Sequence, residues 1–196
     1  MIRLAMPEVV THRYDPVAGV GLNVCSLPDA EASRVIDRVR REFRPSLKPD
    51  YLARRRTTER WLAEAAAKLL VCAVQQHPVY FFLGDFCHGT DASRPAALVI
   101  PLSQLPGEAI TFSLGDSTSV AARPERRLYL PGEMVTLFAT DPAMAEFGLT
   151  DRQGLQSHYI ELQLWDASVL RAYGSPVKPA PGVVTESEER QGEPPR

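Results

Sequence analysis

At His77-Pro78 the hydrophobic period of the chain changes. On its N-terminal side two long segments repeat their apolar residues every three or four positions, the spacing of a helix face. On its C-terminal side short runs alternate or cluster over about five positions, the spacing of strands. The links between the later runs, residues 84–95 and the proline-bearing residues 101–107, are too short or too rich in proline to hold crossover helices. This excludes a parallel α/β sheet. The expectation is an α+β domain, with two N-terminal helices packed on a largely antiparallel β-sheet, whole or split.

Segment by segment, Val9–Tyr14 and residues 19–27 read as strands separated by the turn signal Asp15-Pro16. Ser26 is placed to cap the first helix, Pro28 fits its first turn, and Asp29 and Glu31 suit its N-terminal dipole. Val35, Ile36, Val39 and Phe43 form its stripe before Pro45 stops it. A second helix starts at Pro49-Asp50 and runs to about Val74. Tyr51, Arg55, Thr58, Leu62, Ala65, Leu69 and Cys72 share its face, apolar at one end and polar at the other. Arg55 therefore falls where core meets opening, with Arg54 and Arg56 splayed to either side. Arg55 and Glu59 also form an i,i+4 pair, which on a solvated face is ordinary.

Strands follow at residues 79–83, 96–100, 109–114 and 158–165, with a polar loop at 115–119, a helix at 131–139 and irregular chain at 141–154. In the third of these strands Ile110, Phe112 and Leu114 point inward and Thr111 and Ser113 outward. Residues 1–173 are expected to form one domain. Residues 174–196, rich in Pro, Gly, Glu, Ser and Arg, are expected to be a disordered tail.

Composition narrows the function classes. With 44% hydrophobic and 23% charged residues the chain can bury an ordinary core, and a net charge of −2 does not suggest a coat of nucleic acid or an anionic membrane surface. Three cysteines without a CxxC pair read as small buried thiols in a reducing compartment, and no apolar run is long enough for a membrane span. The expected location is cytoplasmic. No GxSxG elbow, GxxxxGK[ST] loop or GxGxxG fingerprint occurs. No metal is expected, because His88 and Asp91 are badly spaced and His158 and Glu161 fall on opposite faces of a strand.

The final strand carries the most informative pattern, with Tyr159, Glu161, Gln163 and Trp165 on one face. A carboxylate framed by rings in a cleft has a raised pKa, and can stabilise a cation or polarise a hydroxyl. The same face exposed would instead be a protein-contact surface, making the chain a non-catalytic binding or regulatory protein. A metal-dependent oxygenase is a third reading. Arginines 54 to 56 offer forks for a phosphate, and residues 112–119 offer Gly and small hydroxyls to an anion.

The runs Val79-Tyr-Phe-Phe-Leu-Gly-Asp85, Leu98-Val-Ile-Pro-Leu-Ser103, Ile110-Thr-Phe-Ser-Leu-Gly-Asp-Ser117 and Tyr159-Ile-Glu-Leu-Gln-Leu-Trp165 look like an uncharacterised bacterial protein family. More remotely, their order is similar to the DarT-type ADP-ribosyltransferases, which modify nucleic-acid bases using NAD. The resemblance covers about half the chain. It implies Glu161 as the catalytic glutamate and one of Arg54, Arg55 or Arg56 as the phosphate-binding arginine. It places Tyr80 in the nicotinamide pocket, and Asp116, Ser117 and Gln163 on the substrate rim. Where that family's first strand presents a His-x-Thr element to NAD, Leu22-Asn-Val-Cys25 offers only Asn23. NAD is thus the implied cofactor, and a nucleic-acid base is among the implied acceptors. Oligomeric state is left open.

Overall fold

Five short runs rich in branched and aromatic residues pair into one antiparallel sheet. They are β1 (Val9–Tyr14), β2 (Val79–Leu83), β3 (Ala96–Pro101), β4 (Ile110–Leu114) and β5 (Ile160–Leu164), in the order β3-β1-β2-β5-β4. The computed structural model describes residues 4–88, 91–150 and 158–173. The tail expected at 174–196 lies outside them. Among the described residues four α-helices accompany the sheet: α1 (Asp29–Glu42), α2 (Tyr51–Leu69), α3 (Ser117–Ala121) and α4 (Pro131–Thr140). The α+β class and the antiparallel pairing expected from the linkers are both present.

Two layers of side chains hold the sheet. On one face Val10, Phe81, Leu83, Ile100, Phe112, Ile160 and Leu162 pack with Met134 and Phe138 of α4 and with Leu170. On the other, Leu62 and Ala66 of α2 cover Trp165, with Leu128 beside them. The central strands are consequently buried on both sides. Thr111 and Ser113, expected to point outward, are fully buried beneath the α2 layer. Their polar atoms must then find partners inside the protein.

β1 pairs with β3 along its whole length but with β2 only at Val10↔Leu83 and Thr11↔Phe82. Past that point His12 bridges the two strands. Its Nδ1 donates to the Tyr80 carbonyl at 2.8 Å, and its Nε2 accepts from Gly21 N–H at 3.0 Å. Those two roles require the neutral ring. Burial lowers its pKa to about 4, against the backbone bond to Tyr80 and with help from Arg94.

The structure corrects several local expectations. Residues 19–27 form no strand, because Gly19 and Gly21 take positive φ and the chain turns into a short 3-10 helix at Val24–Ser26. Asn23 Oδ1 caps that turn by accepting from Cys25 N–H. Pro28, not Ser26, sits at the N-cap of α1, and the Ser26 hydroxyl donates to the Asn23 carbonyl. α2 stops at Leu69, short of Val74. The loop expected at 115–119 contains α3, nucleated when Asp116 Oδ1 accepts from Thr118 and Ser119 N–H. A 3-10 turn, Pro142–Glu146, lies in the segment read as irregular. Of the three cysteines only Cys25 is buried, its thiol pushed up to about 12 by burial and Glu59. Among the described residues no helix is long and apolar enough to cross a membrane.

Gly84 shows how tightly the end of β2 is built. Its φ is +115°, and a Cβ there would lie 1.9 Å from the Leu149 carbonyl oxygen. Gly84→Ala should destabilise the protein by about 2–4 kcal/mol. Gly132→Ala, in open space on α4, should be neutral or stabilising by about 0.5 kcal/mol. Paired urea titrations check both.

Candidate active site

Alternation along β2 sends Val79, Phe81 and Leu83 to the main core and Tyr80 and Phe82 to the side of α1 and α2. The same alternation on β5 and the residue before it sends Tyr159, Glu161 and Gln163 to that side, and on β1 it sends Arg13. A cleft of about 530 Å³ runs between this face of the sheet, α1 and the first turns of α2. Glu161, Tyr80, Phe82, Tyr159, Asp116 and Arg55 line its walls, with Arg13, Asn23 and Tyr51 further along.

Arg55 is held on every side. Its guanidinium stacks 4.0 Å above the Tyr80 ring centroid, and Nη1 donates to Ser117 Oγ at 3.1 Å and Thr118 Oγ1 at 3.2 Å. Nε lies 3.4 Å from Glu59 Oε1. Nη2 has no hydrogen-bond partner among the described residues. Burial works against its charge, but the Tyr80 ring beneath it and the carboxylates of Glu161 and Glu59 outweigh that and keep the group protonated.

Two glutamates meet this arginine in opposite circumstances. Glu59 is fully buried, yet Asn23 Nδ2 (2.9 Å) and Tyr80 OH (3.0 Å) donate to its Oε1, and His77 Nδ1 sits 2.6 Å from its Oε2. Burial pushes its pKa up. The bonds from His77 and Asn23 and the charge of Arg55 pull it below the usual value. Glu161 is also buried, and for it burial wins. Arg55, Ser117 and Gln163 pull its pKa down and Asp116 pushes it up, leaving it raised. Asp116 in turn accepts from Tyr159 OH at 3.2 Å, and the Tyr159 ring stands edge-on to Phe82.

Of the residues singled out in the sequence, the structure gathers Glu161, Arg55, Tyr80, Asn23 and Asp116 around one cleft. Asn23 has both amide protons committed, to Glu59 and to the Pro78 carbonyl. Ser117 is buried behind Arg55. Arg54 and Arg56 are not brought in: Arg54 pairs with Asp50 and Arg56 with Asp29 of α1, both outside the cleft. Gln163, expected on the substrate rim, is fully buried beneath Glu161. Trp165 is likewise buried under α2, so Tyr159, Glu161, Gln163 and Trp165 cannot together form an exposed contact surface. His158 packs edge-on to Phe147, away from Glu161, and the described residues contain no group of three potential metal ligands.

Sequence reading missed two residues. Glu59 was visible as the i+4 partner of Arg55, but nothing local says that this pair is buried. Arg13 is 5% exposed and donates to the carbonyls of Phe86 and Arg94, tying the loop after β2 to the cleft wall. Its only signal was its place on the inward-facing period of β1. No protein-family model, curated protein or solved structure matches the chain.

The opposed pKa shifts predict opposed mutant effects. Glu161, with its folded pKa raised, holds its proton more tightly when folded. It favours folding below the unfolded pKa and loses that contribution as pH rises through the folded value. Glu161→Gln should therefore raise stability at pH 7, with the gain vanishing below about pH 4. Glu59, with its folded pKa lowered, stabilises above the unfolded pKa and loses this as pH falls through the folded one. Glu59→Gln should cost about 3 kcal/mol at pH 7, a deficit that shrinks in acid. Chemical denaturation at several pH values reads both signs.

Proposed function

We propose that this chain transfers the ADP-ribosyl group of NAD to an acceptor, with Glu161 as the catalytic carboxylate. One observation carries the reading: Glu161 and Arg55 open on the same cleft, framed by the rings of Tyr80, Phe82 and Tyr159. The donor set suits such a substrate, offering a carboxylate for a developing cation, aromatic faces for a planar ring, and an arginine with Nη2 uncommitted. The cleft volume lies within the usual range for small-molecule sites.

NAD would supply a ribose whose C1′ becomes cationic as the bond to nicotinamide breaks and the ring leaves neutral. The role of Glu161 is to oppose that charge from a wall sheltered from bulk water, where a fixed carboxylate acts most strongly. When the acceptor bonds to C1′, its proton passes to Glu161 and from there to solvent. Arg55 counters the burial of Glu161, keeping the carboxylate ionisable inside the protein. A positively charged pyridinium ring entering the cleft would favour the ionised form further. Tyr80 is fixed in the cleft wall, its hydroxyl held by Glu59 and one face of its ring by Arg55.

Nicotinamide release from NAD should fall by about 10²–10⁴-fold in Glu161→Gln, while the variant stays folded. The acid limb of the wild-type rate profile should have its midpoint above 4.5, with rate rising as the carboxyl ionises. Millimolar NAD should raise the melting temperature of the wild type. An unchanged melting temperature together with no nicotinamide release removes the proposal.

A further inference from the structure

A chain of buried polar groups runs between β4 and β5 behind Glu161, and its hydrogen-bond directions resolve one by one. The indole N–H of Trp165 can only donate, and it donates to Thr111 Oγ1 at 2.9 Å. The Thr111 hydroxyl in turn donates to Gln163 Oε1 at 3.1 Å. Placing the amide oxygen there puts Nε2 on the other side, where it donates to Ser113 Oγ at 3.1 Å and to Glu161 Oε1 at 3.2 Å. Ser113 completes the chain by donating to the Gly115 carbonyl at 3.0 Å. Thr111, Ser113, Gln163 and Trp165 are fully buried, and of the five residues only Glu161 lines the cleft.

We propose that Gln163 is a positioning residue for Glu161: the Trp165–Thr111 pair fixes its amide so that an N–H, never the carbonyl, meets the carboxylate, favours its ionised form and aims it into the cleft. A flipped amide would turn Oε1 toward Glu161, repelling the carboxylate and favouring the protonated acid as a donor. The flip is opposed at the far end. The Thr111 hydroxyl would then face Nε2, which only donates, and its proton would be left buried without an acceptor. The inference rests on the proposed function only in treating Glu161 as the reacting group.

The other charged and titratable groups facing Glu161 are Arg55 from α2, Asp116 ahead of α3, Tyr80 from β2 and Tyr159 beside it on the sheet. The test variants leave all four in place. The measurement is an NMR titration of the Glu161 carboxyl carbon in the full chain without NAD, the signal being assigned by its loss in Glu161→Gln. The midpoint should rise by about one pH unit, the equivalent of one hydrogen bond, in Gln163→Leu and in Thr111→Val. Thr111→Ser, which keeps the hydroxyl, should titrate like the wild type.

An unchanged midpoint in Gln163→Leu, or a Thr111→Ser shift as large as that of Thr111→Val, overturns the inference. If Gln163→Leu does not fold, the nearly isosteric Thr111 pair decides alone. Shifted midpoints, when the wild type neither releases nicotinamide nor gains melting temperature with NAD, keep this inference and remove the proposed function. Unshifted midpoints, when the wild type does release nicotinamide, have the reverse meaning.

Discussion

Glu59 is the point on which the arrangement of the cleft depends. A carboxylate taken out of water loses several kcal/mol of hydration, and only a complete set of donors offsets that loss. Here the partners come from four places: Asn23 in the turn after β1, Arg55 one turn back on α2, His77 ahead of β2, and Tyr80 on β2 itself. Withdrawing any one leaves a buried charge short of a partner. The seam between α2 and the sheet therefore assembles as a unit, and that assembly fixes where the Tyr80 ring and the Arg55 guanidinium stand.

From that fixed frame the second carboxylate takes its character. Glu59 is saturated with donors and sits below its usual pKa; Glu161 is buried with fewer and sits above it. Their surroundings push two like groups in opposite directions, Glu59 toward the ionised form and Glu161 toward the protonated one. Arg55 lies between them and is attracted to both, so neither its charge nor its position is free to drift. The polar layer beneath Glu161 extends the same logic inward, since in a site shielded from water every hydrogen has to be directed somewhere.

Much of the fold was legible in the residues. The change of period at His77-Pro78 separated the two long helices α1 and α2 from the strands β2 to β5, and the short or proline-bearing links forced antiparallel pairing. The two-faced pattern of residues 158–165 put Glu161 on the side opposite Ile160 and Leu162, where it lies. Where the reading failed, glycine conformation or a burial decision had intervened. Gly19 and Gly21 turned an apparent strand into a 3-10 turn. Asp116 captured two free amides and made a helix from an apparent loop. Of the three adjacent arginines, the helix period had already set Arg55 apart, and it is Arg55 that turns inward while Arg54 and Arg56 take surface partners.

By itself the sequence determined which side chains share a face, because the periods of strand and helix are properties of the backbone and act locally. It could not determine which faces would be covered. Thr111, Ser113, Gln163 and Glu59 read as exposed or peripheral, and all are buried because α2 and α3 close over the second face of the sheet. The cleft beside it gathers residues as far apart in the chain as Arg13 and Glu161. Only the tertiary structure could decide it, since desolvation depends on what lies above a residue and not on its neighbours in the chain.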